Sequence, residues 1–352
     1  MSSDTFAASR IRALKGAAGA GFVLLATGGA AAQEDPAVFY AGKTVRIIVG
    51  VSVGSGYDIA ARTVGRHIGK YIPGKPNIIV QNQPGAGSAT MSNALYASGP
   101  RDGTVIGAPF NGMPTIPLFA PEQARFDPTK LNWVGSTNRA VQTTYVWSAE
   151  PTIQTMEDIN TRTFVVGSQA PGTAQNDFPV LANLLLGTRF SVVNGYESTP
   201  KIHLAMERGE VMGSAATSLS TLKVTSGDWI PDKKIRIIGQ WGLKPHPELP
   251  DVPMWLAQAK SEADRQALRL LLARLEFGQP YFLPPDVPAA RVAAVRRAFD
   301  STLRDPDFLA DAARAKLEVE PVTGEQVQRL IADIFATPPE VVARVRKALE
   351  AK

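Results

Sequence analysis

The side chains that usually perform catalysis or bind metals are few in this sequence and stand far apart. The three histidines are His67, His203 and His246, and no H-x-x-x-H or H-E-x-x-H motif links them. The chain has no cysteine, which excludes disulfides, thiolate metal ligands and a thiol nucleophile. We therefore predict no metal site, no cofactor and no catalytic residue.

One carboxylate, Asp58, stands where it could act on a ligand. It follows a glycine-rich loop and falls in the first turn of a predicted helix, where a negative charge complements the helix dipole. Arg62 lies one turn further along and can pair with it. A carboxylate in the centre of an anion site would repel the ligand. We therefore favour a structural role for Asp58, although it would be the one available general base in an enzyme.

An apolar, strand-like run stops at a glycine-rich loop and restarts as a helix three times along the chain. The three units span Thr44 to Ile72, Asn77 to Ser98 and Phe164 to Leu186, with the loops VSVGSG, PGAG and QAPGT. The first turn of a helix leaves N–H groups free, and the helix dipole adds partial positive charge there. None of the loops contains His, Cys, Lys or Arg. This pattern predicts a protein that holds an anion through its backbone and performs no chemistry on it.

The first loop matches nucleotide-binding motifs only in part. The segment GSGYDI begins like a dinucleotide fingerprint, but Ile59 stands where the third glycine would be. The end of the second predicted strand, VQNQ, offers amides where that fingerprint has an acidic residue. No Gly-Lys-Ser/Thr follows the loop, so it is not a Walker loop either. The sequence therefore argues against a bound nucleotide cofactor.

The composition is that of a folded globular protein without a nucleic-acid-binding surface. Of the 352 residues, 44% are hydrophobic and 20% are charged, and the net charge is +5. Lysine and arginine form no dense block, and the aromatic residues are scattered. We therefore expect no nucleic acid among the partners of this protein.

The N-terminus has the pattern of an export signal. A basic segment, residues 10–15, precedes an apolar stretch from Gly16 to Ala31, and three alanines stand before Gln33. The apolar stretch is shorter than the ~20 residues that a membrane-spanning helix needs. We predict that residues 1–32 are a signal peptide, cleaved near Ala32, and that the mature protein is periplasmic.

The remaining chain indicates an α/β protein with two domains. Predicted strands and helices alternate from Thr44 onward, which favours mainly parallel sheets. Four prolines between Lys244 and Pro253 predict an extended connector, and amphipathic helices dominate after it. We predict that residues 142–251 form a domain inserted into a discontinuous first domain, residues 33–141 plus 252–352. Ligands in such proteins bind at the carboxyl ends of strands, often between domains.

These segments resemble, in the same order, the extracytoplasmic solute-binding proteins of tripartite tricarboxylate transporters, the Bug family. The resemblance covers Phe39 to Lys352. The segments that carry it are KTVRIIVGVSVGSGYDIAAR, VQNQPGAGSATMSNALYASGPRDGTVIG, GSQAPGTAQND, GYESTPKIHLAMERGEV, LPDVP and FLPPDVPAARVAAVRRAFDSTLRDPDF. The resemblance implies a two-domain, periplasmic-binding-protein-like (type II) α/β fold with a ligand cleft between the domains.

The resemblance also implies a function. Members of the family bind mono-, di- or tricarboxylates, largely through main-chain N–H groups and water, and deliver them to a membrane permease with two subunits. We expect the same partners here and a monomeric protein. The implied ligand-binding residues are Val53, Gly54, Ser55, Gly56, Tyr57, Asp58, Gly85, Ala86, Gly87, Ser88, Ser168, Gly172, Thr173, Asn176, Ala216 and Ser218. The serines among them are interpreted as hydrogen-bond donors rather than nucleophiles.

The loops depart from the family pattern in ways that remove positive charge. Many members have His where Asn176 stands and Arg where Gln83 precedes PGAG, and many have prolines and a Gly-Gly pair in the first loop. A polar, uncharged lining suits a small or aromatic carboxylate as well as a tricarboxylate. Two alternatives stay open at this point: a carboxylate sensor that feeds a two-component receptor, and an exported enzyme.

Overall fold

The strands of this protein form two separate sheets. The computed structural model describes residues 34–169 and 172–350, and the predicted signal peptide lies outside them. The strands in chain order are β1 (Thr44–Val49), β2 (Asn77–Asn82), β3 (Val105–Ala108), β4 (Asn132–Ser136), β5 (Gln142–Trp147), β6 (Phe164–Gly167), β7 (Phe190–Val193), β8 (Gly213–Ser218), β9 (Ile235–Trp241), β10 (Pro280–Leu283) and β11 (Val322–Thr323). The first sheet has the order β11-β4-β10-β3-β1-β2, and the second has the order β7-β6-β8-β5-β9.

Both sheets are mixed, so the expectation of mainly parallel sheets is wrong. In the first sheet β1 runs parallel to β2 and β3, whereas β10 runs antiparallel to β3 and β4. In the second sheet β6 runs parallel to β7 and β8, whereas β5 runs antiparallel to β8 and β9. The strand–loop–helix units supply the parallel pairs. Antiparallel pairs form where β5 and β10 insert between strands that run the other way, and where the edge strand β11 pairs with β4.

Helices surround both sheets. In chain order they are α1 (Pro36–Tyr40), α2 (Gly56–Ile68), α3 (Ala89–Ser98), α4 (Ile116–Phe119), α5 (Ala174–Leu186), α6 (Thr199–Glu207), α7 (Leu219–Ser226), α8 (Glu262–Leu272), α9 (Ala289–Thr302), α10 (Pro306–Arg314), α11 (Gly324–Phe335) and α12 (Pro339–Glu350). The predicted amphipathic helices after the Pro-rich connector are α8 to α12. The last of them, α12, packs against α4, α5 and α8.

The strand sequences explain where the core lies. On β1, Val45, Ile47 and Val49 are fully buried and belong to an apolar cluster with α2 and α9. On the second sheet, the indole of Trp241 on β9 stacks with that of Trp255, in a later 3₁₀ turn, with centroids 4.8 Å apart. All strands of the second sheet come from residues 142–241, and the strands of the first come from the chain on both sides of that segment. The exact domain limits stay a prediction.

Candidate functional site

The first glycine-rich loop is tied down by Asp58, which is 2% exposed. One carboxylate oxygen accepts the N–H of Gly54 at 2.8 Å and the Nε–H of Arg62 at 3.1 Å. The other accepts the Nδ2–H of Asn82 at 2.8 Å, and this amide also donates to the carbonyl of Val51 at 3.0 Å. The side chain therefore connects the loop, helix α2 and strand β2.

The electrostatics of Asp58 fit this structural role. Burial alone would raise the pKa of Asp58, but the bonds from Arg62, Gly54 and Asn82 hold it below its usual value. Asp58 also lies in the first turn of α2, whose cap is Ser55: the Ser55 hydroxyl accepts the Asp58 N–H at 3.3 Å. A carboxylate that is ionised and paired in this way is poorly suited to act as a general base.

The second glycine-rich loop has an unusual backbone. Gly85, Ala86, Gly87 and Ser88 have successive φ values of 140°, 45°, 59° and 76°. L-residues rarely adopt positive φ, and the surrounding structure must therefore enforce it at Ala86 and Ser88. Gly85, Ala86 and Gly87 are exposed. The loop thus presents a tightly turned backbone at the carboxyl end of β2, next to the N-terminus of α3.

Ser88 fixes this loop to the neighbouring strands. Its hydroxyl donates to the carbonyl of Gly50 at 2.9 Å and accepts the N–H of Phe110 at 2.9 Å. Ser88 is 1% exposed. Phe110 also contacts Tyr57, with ring centroids 5.5 Å apart, and the Asn111 N–H lies 3.5 Å from the Tyr57 hydroxyl oxygen. The carboxyl ends of β1, β2 and β3 therefore meet here, as the first two loops predict.

Four of the predicted residues between positions 142 and 251 follow β6, beside the carboxyl end of β7: Ser168, Gly172, Thr173 and Asn176. The N–H of Ser168 donates to the carbonyl of Val193 at 2.8 Å. The carbonyl of Ser168 accepts the N–H of Tyr196 at 3.3 Å. Asn176, in the first turn of α5, donates through Nδ2 to the Asn194 side chain at 3.1 Å. Residues 170 and 171 of the third loop lie outside the described part of the chain.

Two features of this group bear on ligand binding. The Ser168 hydroxyl is fully buried and has no hydrogen-bond partner among the described residues. Gly172 has a φ of 92°, and its N–H donates to Asp177 at 2.9 Å. Thr173 is the N-cap residue of α5. The Gly172 N–H is therefore already bonded to a carboxylate of the protein, and the Ser168 hydroxyl is a group here that could donate to an anion.

The remaining predicted residues lie on β8 and at its end. Ala216 is buried within the strand. Ser218 is the N-cap of α7, and its hydroxyl accepts the N–H of Thr221 at 3.1 Å. Ser218 pairs with Gln142 across the sheet. Val53, in the first loop, is 71% exposed. Apart from Ala216, each predicted residue thus lies at a strand end, in a loop or in the first turn of a helix.

Sequence reasoning missed a buried cation, Arg274, which lies between the first two glycine-rich loops on one side and the third on the other. Arg274, in a 3₁₀ turn at Ala273–Phe277, is 4% exposed. Its Nη1 lies 3.6 Å from the Asp177 carboxylate, and its guanidinium lies 4.9 Å from the ring centroid of Phe178. Burial lowers the pKa of Arg274, and Asp177 opposes this shift. The sequence predicts an amphipathic helix here, in which Arg274 follows the buried Leu270 by four positions, and this spacing could have marked it as buried.

A second missed pattern is a nucleophile-elbow spacing. Gly50, Ser52 and Gly54 match G-x-S-x-G between strand β1 and helix α2. A Ser-His-Asp triad also needs a histidine within hydrogen-bond distance of the serine. No described histidine bonds to Ser52: the ring of His67 contacts Asp311, and that of His203 contacts Tyr145 and Ser226. The spacing is therefore not accompanied by a triad.

His203 belongs to a buried hydrogen-bonded group instead. Its Nε2 lies 2.7 Å from the Tyr145 hydroxyl and its Nδ1 lies 2.7 Å from that of Ser226. The Tyr145 hydroxyl donates to the Thr217 hydroxyl at 3.3 Å, and Nε2 of Gln175 on α5 donates to the same hydroxyl at 3.3 Å. Burial lowers the pKa of His203 to about 4. Within residues 34–169 and 172–350, no group of three or more His, Asp and Glu could hold a metal ion.

Comparison with known proteins identifies the fold. No protein-family model matches the chain, and no curated protein sequence matches it. Among solved structures, the periplasmic binding protein BugD superposes with a TM-score of 0.64 at 17% identity, over 88% of this chain and 98% of BugD. MatC from Rhodopseudomonas palustris, solved with malate, gives a TM-score of 0.62 at 17% identity, over 88% and 99% of the two chains.

A third structure gives the same result. An R. palustris protein solved with adipate has a TM-score of 0.63 at 16% identity, over 86% of this chain and 97% of the other. Identities this low establish a shared fold, and the predicted two-domain α/β binding-protein fold is confirmed. In the described part of the chain, no helix has the length and apolar character needed to cross a membrane.

Proposed function

We propose that this protein is an extracytoplasmic solute-binding protein of the Bug family that captures a carboxylate and delivers it to a tripartite tricarboxylate transporter permease. The observation that carries the proposal is the loop from Gly85 to Ser88, with positive φ at four successive residues. Such a turned backbone next to a helix N-terminus can direct several N–H groups at one anion. Ser88 and Asp58 hold this loop and its neighbour in place, so the site is built before the ligand arrives.

The proposed ligand is a small carboxylate with one or two acid groups. The structural neighbours solved with malate and adipate support this class. The three glycine-rich loops contain no Lys or Arg, so a highly charged anion would be poorly balanced there. The proposed ligand-binding residues are the sixteen that the family resemblance implies. Asp58 is included as a residue that shapes the loop rather than one that touches the ligand.

The proposed mechanism is closure of two domains over the ligand. The domains are residues 33–141 plus 252–352 and residues 142–251. A ligand that bridges the loops of both domains has more contacts in the closed form and shifts the equilibrium toward it. Small-angle scattering should give a smaller radius of gyration with a saturating ligand. An unchanged radius of gyration at a saturating ligand concentration would contradict closure of the two domains over the ligand.

The proposed location is the periplasm, and the proposed role is binding without turnover. Export follows from the signal-like N-terminus, and N-terminal sequencing of periplasmic protein should begin at Gln33. A carboxylate recovered unchanged after long incubation with the protein is the expected result. Product formation would instead favour an exported enzyme.

A ligand screen tests the proposed function. A ligand that binds only the folded state raises the melting temperature, by an amount set by the ratio of its concentration to its Kd. We expect malate, adipate, other dicarboxylates or an aromatic carboxylate to raise it, and calorimetry to confirm one site per chain. The matched amides and the methyl esters serve as controls. The proposal fails if no carboxylate binds more tightly than its uncharged amide.

A further inference from the structure

Arg274 is the buried cation nearest to the proposed site. Its side chain is only 4% exposed, in a segment that joins α8 to β10. Burying a guanidinium is costly unless each donor finds a partner, because the charged group loses its hydration. A buried arginine therefore indicates either a structural ion pair or a bound anion.

The structural partners of Arg274 account for only part of its donors. Nη1 lies 3.6 Å from the Asp177 carboxylate, which is beyond hydrogen-bond distance. Asp177 already accepts the Gly172 N–H at 2.9 Å through its other oxygen. The Nη2 group of Arg274 is buried and has no hydrogen-bond partner among the described residues. The ion pair is therefore loose, and one pair of donors is unused.

The surroundings place the guanidinium between the two groups of predicted ligand loops. On one side, Nη1 lies 3.3 Å from the position that a Cβ on Gly112 would occupy, so only a glycine leaves this space open. The Phe110 ring borders the same position on Gly112 and contacts Tyr57 of the first loop, with ring centroids 5.5 Å apart. On the other side, Asp177 connects Arg274 to Gly172 in the third loop.

We propose that Arg274 is a ligand-binding residue whose Nη2 donates to a carboxylate group of the anion. The inference rests on the proposed function and adds a charged contact to a site otherwise made of backbone. It also narrows the ligand class. Asp177 lies on the Nη1 side, so Nη2 can donate to one carboxylate group, and the neighbouring ring of Phe178 favours an apolar body beside that group.

A pair of variants separates a ligand contact from a structural ion pair. Asp177→Asn removes the carboxylate but keeps Arg274 and an oxygen that can accept the Gly172 N–H. The double variant Arg274→Met/Asp177→Asn removes both buried charges, so neither is left unpaired. The control Arg344→Met/Asp264→Asn removes the ion pair between α12 and α8, away from the glycine-rich loops. Calorimetry with malate and adipate, together with far-UV circular dichroism, is the measurement.

If Arg274 binds the ligand, the affinity of Asp177→Asn for malate or adipate stays within about 3-fold of the wild type or is higher. The affinity of the double variant falls by about 10-fold or more. The control pair keeps wild-type affinity. If the wild type binds and the folded double variant retains its affinity within about 3-fold, the inference is wrong and the proposed function stands. If the wild type binds no carboxylate, both fail.

A conservative variant keeps the inference testable should the double variant not fold. Arg274→Lys retains the charge and the apolar stem but removes the planar donor fork. We expect it to weaken malate or adipate binding by about 5-fold or more. Unchanged affinity in a folded Arg274→Lys variant would overturn the contact.

Discussion

The carboxylate of Asp58 accepts the backbone N–H of Gly54 at 2.8 Å, four residues earlier in the chain. This bond closes the first glycine-rich loop on the start of helix α2. Because Asn82 and Arg62 bond to the same carboxylate, the loop, the helix and strand β2 are fixed to one another. The geometry of the loop thus depends on a side chain that need not touch the ligand.

Asp58→Asn should therefore destabilise the protein. The amide cannot accept as many bonds as the carboxylate, and one of its own N–H groups would face the donors of Gly54 or Asn82. We expect a loss of about 1–3 kcal/mol in the free energy of unfolding. Urea denaturation at pH 7 measures it. Asp228→Asn, which removes an exposed carboxylate paired with Lys234, is the control and should cost less stability than Asp58→Asn.

The same substitution should change the response to acid. Bonds from Arg62, Gly54 and Asn82 outweigh burial and hold the pKa of Asp58 below its unfolded value of 3.8. The stabilisation is therefore present above that value and is lost as the pH falls through the lower pKa of the folded state. Between pH 4 and pH 2 the wild type should lose more stability than Asp58→Asn. Parallel curves for the two proteins would contradict this assignment.

A matched pair of glycines tests whether the backbone N–H groups of the PGAG loop bind the anion. Gly87 in the PGAG loop and Gly187 after α5 both have left-handed backbones, with φ values of 59° and 73°. A Cβ at Gly87 would meet only Ile116 Cδ1 at 3.9 Å, and one at Gly187 would meet nothing within 4 Å. Alanine at either position should therefore cost a similar amount of stability, about 1–2 kcal/mol.

Their effects on ligand binding should differ. Gly87→Ala shifts the loop toward negative φ and misdirects its N–H groups, so we expect about 10-fold weaker carboxylate binding. Gly187→Ala should leave the affinity unchanged. Calorimetry on both variants gives the comparison. Equal affinities would show that the N–H groups of the Gly85–Ser88 loop do not bind the ligand.

His203 should make the protein sensitive to mild acid. Burial lowers its pKa from 6.5 to about 4. Between these values the unfolded state binds more protons than the folded state, so stability is full above pH 6.5 and falls as the pH is lowered toward 4. The shift corresponds to about 3 kcal/mol. In chemical denaturation from pH 7 to pH 4, His203→Gln should show a flatter profile than the wild type, and equally steep profiles would contradict this assignment.

The sequence predicts the local structure of the site well because local rules govern it. All three glycine-rich loops lie between a strand and a helix, at β1–α2, β2–α3 and β6–α5. The position of Asp58 in the first turn of α2, and its pairing with Arg62, also follow from short spacings. Glycine content, strand length and helix capping decide these features within about ten residues.

Long-range features could not be predicted in the same way. Strand direction depends on which strands become neighbours, and β10 joins β3 and β4 from more than 100 positions away along the chain. Arg274 stands seven positions after the buried Ala267 and three after the buried Leu271, so helical spacing places it on the buried face of this segment. Its contacts there, Asp177 and Phe178, belong to α5, far away along the chain, and local spacing cannot identify them.

Two buried serines give the sharpest test of the third loop. Ser168 at the end of β6 and Ser92 on α3 are both fully buried, and neither hydroxyl has a hydrogen-bond partner among the described residues. Removing an unpaired hydroxyl does not break a bond, so Ser168→Ala and Ser92→Ala should each be at least as stable as the wild type. If Ser168 donates to the ligand, its loss should weaken carboxylate binding by about 2- to 12-fold, the equivalent of one hydrogen bond. Ser92→Ala should bind as the wild type does. Thermal melts and calorimetry on the two variants decide the question: lower affinity without lower stability in Ser168→Ala alone places Ser168 in the site, whereas equal affinities in both variants exclude its hydroxyl.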